Sequence, residues 1–353
     1  MAFIRNAWYV AMWAEQLKPS QPQERTIIGE SLVIYRGTQG QPIALQNRCP
    51  HRSAPLHMGR VCTNGNIECG YHGLQFNESG ACVVNPHGKG VIPVAAKLRA
   101  FEAVEKHSLI WVWMGDGQAD AALIPNLSII DTAPAQDVTY RDVLEMKAGY
   151  ELVIDNLLDL SHTGFLHRGV LGNSDTVSAE IKVRQDGDAI TVGRWMPGVV
   201  IPGLFDIMFP RKSDIVDLWA EITWLAPCSL INDSGVTAPG TSREQGTGIY
   251  GLHLLTPVNE RKTVYHFAAI RHHPFQFPED IRLDLMTKLK DLRRSAFETE
   301  DEPMIEAQQR MLDAAQAGVQ PVLLEVDAAS VRYKRVLQKL LEAESGPRSP
   351  ALG

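Results

Sequence analysis

No run of apolar residues in this chain approaches the roughly 18–20 that a helix needs to cross a bilayer. A secretory leader is missing as well. Residues 1–17 lack a basic start, a long apolar core and a small-residue cleavage site in succession. Basic residues are outnumbered, 34 Lys and Arg against 41 Asp and Glu, so the net charge is −7. That balance argues against nucleic acid as a partner. Cysteine is scarce and odd in number, five in 353 residues, which argues against a disulfide framework. What remains is a cytoplasmic globular chain, 44% hydrophobic and 21% charged, long enough for two domains.

Short β-type runs fill the first third: Thr26–Ile28, Ser31–Tyr35, Pro42–Gln46, Ile67–Cys69 and Leu109–Met114, with Gly, Asn and Pro between them. This spacing predicts a small sandwich or barrel. An Asp/Ala/Gly-rich link at Gly117–Pro125 marks a domain boundary. Beyond it the patterns mix. Tyr150–His162 reads as a helix, and Asp175–Trp195 as a hairpin turning at Gln185–Asp188. Val216–Trp224, Gly248–Leu255 and Thr263–Arg271 read as strands. Pro278–Ala314 reads as one long helix or two, and Val331–Glu344 as a last one. The Pro/Gly/Ser-rich Ser345–Gly353 reads as a disordered tail.

One motif dominates the first third. Cys49-Pro50-His51 is followed, seventeen residues later, by Cys69-Gly70-Tyr71-His72. Each loop offers one thiolate and one imidazole. A Rieske [2Fe–2S] centre needs that inventory, because one iron takes two cysteines and the other two histidines. Structural zinc also accepts two Cys and two His, but zinc fingers usually pair like with like along the chain. Here each pair is mixed, and Gly73-Leu74-Gln75-Phe76 completes a C-x-x-H-G-x-x-F pattern. Gly70 and Gly73 let backbone N–H groups approach the sulfurs. Cys62, Cys82 and Cys228 fall outside the motif and read as plain thiols. His57 and His87 have no motif partner and read as loop residues.

A bare electron carrier would end near residue 115, yet the chain runs on. Asp155–His167 contains two histidines and two acids within thirteen residues. Two histidines and one carboxylate hold Fe(II) on one face and leave positions open. His162 and His167 are five apart, which on an ideal helix is about 140° of rotation. A shared metal therefore requires the helix to end or distort between them, and Gly164 is suited to that. Asp159 and His162 share a face, so Asp159 can accept from a histidine ring. The carboxylate ligand must come from elsewhere. Phe297–Pro303 offers Glu298, Glu300, Asp301 and Glu302, and spacing does not choose among them.

Together these motifs resemble the Rieske non-haem iron oxygenases, and within them the vanillate O-demethylase, dicamba monooxygenase and toluenesulfonate methyl-monooxygenase group. The likeness spans Arg5–Val10, Leu109–Trp113, the Asp155–His167 run and Glu300–Ala307. It implies an α+β chain, with an all-β Rieske domain at 1–117 and a helix-grip iron domain at 118–344. It implies that His162, His167 and Asp301 hold a mononuclear iron, with Asn156 beside it. Cys49, His51, Cys69 and His72 would hold the cluster. Asp159 would bridge the two metal sites, accepting an electron from His72 of a neighbouring chain in a homotrimer. Asn232 and His253 match positions that hold a substrate carboxylate.

The activity implied is O₂-dependent O-demethylation or methyl hydroxylation of an aromatic acid. No Gly-rich dinucleotide fingerprint and no second set of cluster cysteines is present, so electrons must come from a separate NAD(P)H reductase. By the same resemblance that reductase carries flavin and a [2Fe–2S] domain. Two other readings stand beside this one: a ring cis-dihydroxylase, and a Rieske electron carrier without mononuclear iron.

Overall fold

The computed structural model describes residues 3–138, 141–211, 213–315 and 321–345. It divides into two compact units. The first runs to Asp131 and takes in Thr256–Asn259; the second holds the remainder. Residues 118–131, including most of the short helix Ser128–Thr132, therefore pack with the first unit, beyond the composition change at Gly117.

The first unit is built from small antiparallel sheets. Gln23–Ile27, Glu30–Arg36, Pro42–Gln46 and Ala100–Phe101 form one, and Trp8–Trp13, Leu109–Trp113 and Ala103–Lys106 another. A third joins Arg60–Val61, Ile67–Glu68, Gln75–Phe76 and Cys82–Val84. The β-branched and aromatic side chains of these strands form a closed core. Val33, Tyr35, Leu45, Ile67 and Phe76 are all fully buried in it, and Cys49 and Cys69 sit at its edge. The five predicted strands are present, four within a residue and one, Gln23–Ile27, beginning three residues before the predicted Thr26. The strands Trp8–Trp13 and Ala103–Lys106 lay outside the prediction.

The second unit is a seven-stranded antiparallel sheet with helices on it. The strand order is Asp142–Met146, Lys262–His272, Thr247–Asn259, Ser229–Thr237, Ile215–Leu225, Ala189–Val200 and Lys182–Asp186. The predicted hairpin starts at Lys182, because Asp175 belongs to the short helix Ser174–Val177, capped by the Asn173 side chain. Strand Ser229–Thr237 was missed; Asn232, Asp233 and Ser234 interrupt its apolar pattern.

Helix Tyr150–Leu158 buries Tyr150, Val153, Ile154, Leu157 and Leu158, a single stripe at helical spacing. It stops four residues short of the predicted end at His162, with Asp159 as its C-cap. Its start is tied to a second helix, Glu302–Ala314. The Glu306 and Gln309 carboxyl and amide oxygens accept from the N–H groups of Lys147 and Gly149, each at 3.0 Å. The predicted helix over 278–314 is three pieces: Glu279–Arg294, a π-helical segment Ser295–Asp301, and Glu302–Ala314. Pro303 supplies the reason. It has no N–H for the carbonyl four residues back, and its ring crowds that carbonyl. The last helix is Ala328–Ser345, so the tail expected to be disordered lies, past Ser345, outside the described residues. Among the described residues no helix is long and apolar enough to cross a membrane.

The tightest backbone approach in the first unit is at Gly59. A Cβ there would lie 1.9 Å from the Glu68 carbonyl oxygen, beside the Cys69 loop. Gly59→Ala must displace that loop, at a cost of about 1–3 kcal/mol. Denaturation midpoint and acid-labile sulfide per chain should both fall; unchanged sulfide would show that the loop position is not needed to retain the cluster.

Candidate metal centres and the chamber between sheet and helices

The two Cys/His loops are conformational copies. Cys49 N donates to Ala54 O at 2.9 Å and Ser53 N to Cys49 O at 2.9 Å. In the other loop Cys69 N donates to Leu74 O at 2.8 Å and Gly73 N to Cys69 O at 2.9 Å. Ser53 and Gly73 occupy the same place and both have positive φ, +57° and +69°. Each loop thus folds back so that its cysteine points inward and its histidine outward. Both cysteines are 2% exposed. His51 and His72 are closer to solvent, with ring centroids 4.6 Å apart. Burial pushes the Cys49 thiol up to about 11; backbone N–H groups of His51 and Arg52 oppose this, and the adjoining Cys69 adds to it. Donors already aimed at the sulfur, in a buried pocket, suit a thiolate that a metal stabilises.

Gly70 serves packing. A Cβ there would meet the Met58 carbonyl oxygen at 3.0 Å. His87, read from sequence as a loop residue, donates from Nε2 to the His72 carbonyl at 2.7 Å and so braces the second loop. No spacing rule links residues 72 and 87, so sequence gave no signal for it. Cys62 is partly exposed and Cys82 and Cys228 are buried; all are free thiols.

The second centre lies where helix Tyr150–Leu158 ends. The chain leaves it at Asp159 and makes a 3-10 turn at His162–Gly164, so neither histidine is on that helix. Gly164 is buried, and a Cβ would strike the Val177 side chain at 2.7 Å. His162, His167 and Asp301 come together, with one candidate ligand atom from each lying within 4.8 Å of the others. Asp301 Oδ1 is 3.1 Å from His167 Nε2 and 3.7 Å from His162 Nε2.

The opposite ring nitrogens are already held. His162 Nδ1 donates to the Asp159 carbonyl at 2.5 Å and His167 Nδ1 to Glu300 at 2.6 Å. Fixing Nδ1 in this way leaves Nε2 available, as metal-bound histidines require. The Asp159 carboxylate itself accepts from Ser161 N and Oγ, and stands 3.8 Å from the His162 ring. Asp301 is 2% exposed and takes a further hydrogen bond from Asn156 Nδ2 at 2.9 Å.

The four candidate acids therefore separate. Asp301 points inward, Glu300 orients His167, and Glu298 pairs with Arg294 at 2.8 Å. Burial raises the Glu302 carboxyl above its ordinary range. Burial lowers His162. For His167 burial acts the same way, but the Asp301 and Glu300 carboxylates outweigh it and its net shift is upward.

A chamber opens beside this triad. Apolar walls come from Leu157, Leu160, Leu171, Phe205 and Ile222, and polar ones from Asn232, Ser234, His253 and Arg194. An inner lobe shares Asn232, Ser234 and His253 and continues to Ile249, Phe267, Leu289 and Arg293. Asn232 and His253 thus face the same space as the triad. The Asn232 Oδ1 and His253 Nε2 atoms are buried and unpartnered. His253 Nδ1 is hydrogen-bonded to the Tyr265 hydroxyl. Burial holds that phenol protonated and lowers His253 to about 3, helped by Arg293 nearby. The imidazole is therefore neutral. Its Nε2, unpartnered, is free to hydrogen-bond toward the chamber. His266 is buried; His272 lies 3.3 Å from Asp233, and His273 is exposed.

Comparison with known proteins covers both parts of the chain. Residues 7–102 match the Rieske [2Fe–2S] domain, and residues 146–343 match the vanillate O-demethylase oxygenase C-terminal domain. The chain is 35% identical to the oxygenase component of chloroacetanilide N-alkylformylase from Rhizorhabdus wittichii, over 99% of each chain. It is 36% identical to the oxygenase component of dicamba O-demethylase from Stenotrophomonas maltophilia, covering 98% of this chain and all of that one. Dicamba monooxygenase bound to 3,6-dichlorosalicylic acid superposes with a TM-score of 0.90 at 33% identity, over 98% of this chain and 100% of that one. Another structure of that enzyme contains non-haem iron and dicamba.

The Rieske match sets zinc aside, and the C-terminal match with its His/His/Asp cluster sets the bare electron carrier aside. Nor do these relatives favour a ring cis-dihydroxylase. The cofactors are a Rieske [2Fe–2S] cluster and a mononuclear iron, and the electrons come from a separate reductase. The chain belongs to the Rieske non-haem iron oxygenases, as a monooxygenase oxygenase component with a vanillate O-demethylase-type catalytic domain.

Proposed function

We propose that this oxygenase removes or hydroxylates a methyl group on an aromatic acid. The observation that carries the reading is the chamber itself: apolar walls sized by Leu, Ile and Phe side chains, unpartnered polar atoms at Asn232 and His253, and the triad at one side. A flat apolar ring with one polar handle fits such a lining. The relatives that act on dicamba and on toluene-4-sulfonate point the same way.

In this reading His162, His167 and Asp301 hold the iron. Asn156 fixes the Asp301 carboxylate by its hydrogen bond, and Glu300 fixes the His167 ring. Cys49, His51, Cys69 and His72 hold the cluster. When bound, the metals supply oxygen activation and electron entry; the protein supplies binding and orientation. For a methoxy substrate the balance is one methyl ether, O₂, two electrons and two protons in, and one hemiacetal and water out. The hemiacetal then collapses to a phenol and formaldehyde. A ring methyl gives a benzyl alcohol instead. His253 Nε2 and the Asn232 amide orient the substrate's polar group, while Leu157, Leu160 and Phe205 keep water from the reacting carbon.

The reductase is NAD(P)H-dependent, with flavin and a [2Fe–2S] domain, and the setting is the cytoplasm. Asp159 is one-third exposed, and Met304, Val322 and Leu323 surround the same surface. An exposed acid in an apolar rim supports docking of a neighbouring chain's His72 there, as in a homotrimer. Mixing an Asp159→Asn chain with a His72→Ala chain should then restore part of the activity neither has alone. No recovery after proven subunit exchange would place the transfer within one chain.

His162→Ala, His167→Ala and Asp301→Ala should each lose the mononuclear iron and all turnover, while the cluster absorbance stays. Glu300→Gln should keep the iron but bind it about 10- to 100-fold more weakly. Metal analysis by mass spectrometry checks both. Activity surviving in Asp301→Ala but lost in Glu300→Ala would reverse the two roles.

The function itself is tested by oxygen uptake with a surrogate reductase on methoxybenzoates, methylbenzoates and arylsulfonates. Formaldehyde or benzyl alcohol should form in step with oxygen consumed. A dihydrodiol product, or no uptake with any aromatic acid, would overturn the reading.

A further inference from the structure

The chamber contains a cation that, among the described residues, has no carboxylate at ion-pair distance. Arg194, on strand Ala189–Val200, is 5% exposed and lines the chamber with His162, Asn232 and His253. Its Nη1 donates to the Thr176 carbonyl at 3.2 Å and its Nη2 to Thr163 Oγ1 at 2.7 Å. Both acceptors are uncharged. Nε is buried without a partner. A guanidinium has five N–H groups, so three are unspent. Among the described residues Arg194 has no carboxylate at ion-pair distance; the charge of Asp159 acts on it only from farther away. Burial lowers its pKa to about 10, which still leaves it charged at neutral pH.

The other buried arginine of this unit has a carboxylate beside it. Arg271 lies 3.7 Å from Asp137. Arg293, half-buried at the inner lobe, lies over the Phe267 ring with its guanidinium carbon 4.3 Å from the ring centroid. An unpaired buried charge is costly, and a site that keeps one is waiting for an opposite charge. The two polar residues facing the same space cannot meet an anion's charge. Asn232 is an amide, and His253 is held neutral by burial. They can orient a carboxylate by hydrogen bonds, but an anion drawn out of water also needs a positive partner.

We propose that Arg194 is the residue that reads the substrate's negative charge, pairing with the carboxylate or sulfonate of the aromatic acid through its free N–H groups. This rests on the aromatic-acid reading above and adds the side chain that makes the chamber select an anion. The competing role is mechanical: Arg194 joins Thr163, next to His162, to the end of helix Ser174–Val177, and so braces the turn that carries the iron ligand.

The two roles separate in binding. Anaerobic holoenzyme is titrated calorimetrically with 4-methoxybenzoate and its methyl ester, and with 4-toluenesulfonate and 4-toluenesulfonamide. Wild type should prefer both anions. Arg194→Gln should weaken them on the order of 10- to 100-fold, the loss of one charged hydrogen-bonding partner. Ester and sulfonamide binding should stay within about twofold, since neither carries the charge. Arg194→Lys keeps the charge without the fork and should fall between, losing more on the planar carboxylate than on the sulfonate.

Equal losses on acid and ester in both variants would make Arg194 a brace and overturn the proposal. So would an unchanged acid preference in Arg194→Gln. If that variant loses its mononuclear iron, Arg194→Lys alone decides: acid preference must drop while ester binding holds. A wild type that prefers the neutral analogues would sink the aromatic-acid reading, and this proposal with it. A wild type that prefers the anions, alongside an unaltered Arg194→Gln, would sink only the assignment to Arg194.

Discussion

A carboxylate buried as deeply as Asp301 is tolerated only when it is paired and hydrogen-bonded, and much of the second unit is arranged to meet that requirement. Asn156 donates to it from one helix, and His167 and His162 approach from the turn that follows. The π-helical segment ending at Asp301 turns the side chain inward, and Pro303 enforces that segment by breaking the regular ladder. Glu306 and Gln309, one and two turns farther on, fasten the same helix to the start of Tyr150–Leu158. In the absence of metal the imidazoles are the compensation. An iron held by these three side chains would take that place, as a 2-His-1-carboxylate set requires.

The same economy of charge explains the chamber. Asp301 and Asp159 lie at its lining, and its walls are apolar except at a few points. His253 is tied to Tyr265 and kept neutral, so it offers hydrogen bonding without charge. Arg194 brings the opposite sign. A monooxygenase must hold its substrate firmly while reduced oxygen is present, and a small set of convergent polar groups in an apolar cavity does this with few contacts.

Much of this was legible in the sequence, and the reasons differ by element. The Cys49–His51 and Cys69–His72 spacing is a local property of two loops, so it could be read without the fold. Tyr150–Leu158 was visible as a helical stripe, but its end was not. The C-cap at Asp159 lies where apolar Leu160 continues the pattern, and only the fold shows the chain leaving the helix there. The acids at 298–302 could not be sorted by spacing, because a π-helical turn changes which of them point inward. The family resemblance supplied Asp301, and the geometry gives it a physical basis. Arg194 was overlooked although a signal existed. Ile190, Val192, Arg194 and Met196 alternate on the buried face of one strand, and a charge in such a row marks a place where the interior expects an ion. His87 and Gln309 act across long stretches of chain and left no local mark.

The central claim is that one chain carries both a Rieske cluster and a separate iron. Iron and acid-labile sulfide measured on the same sample, reconstituted anaerobically with both, test it most directly. A two-iron, two-sulfide cluster plus one mononuclear iron predicts about three irons for every two sulfides. A ratio of one iron per sulfide that does not rise with added Fe(II) would contradict the account, leaving a cluster protein with no second metal for its electrons to reach.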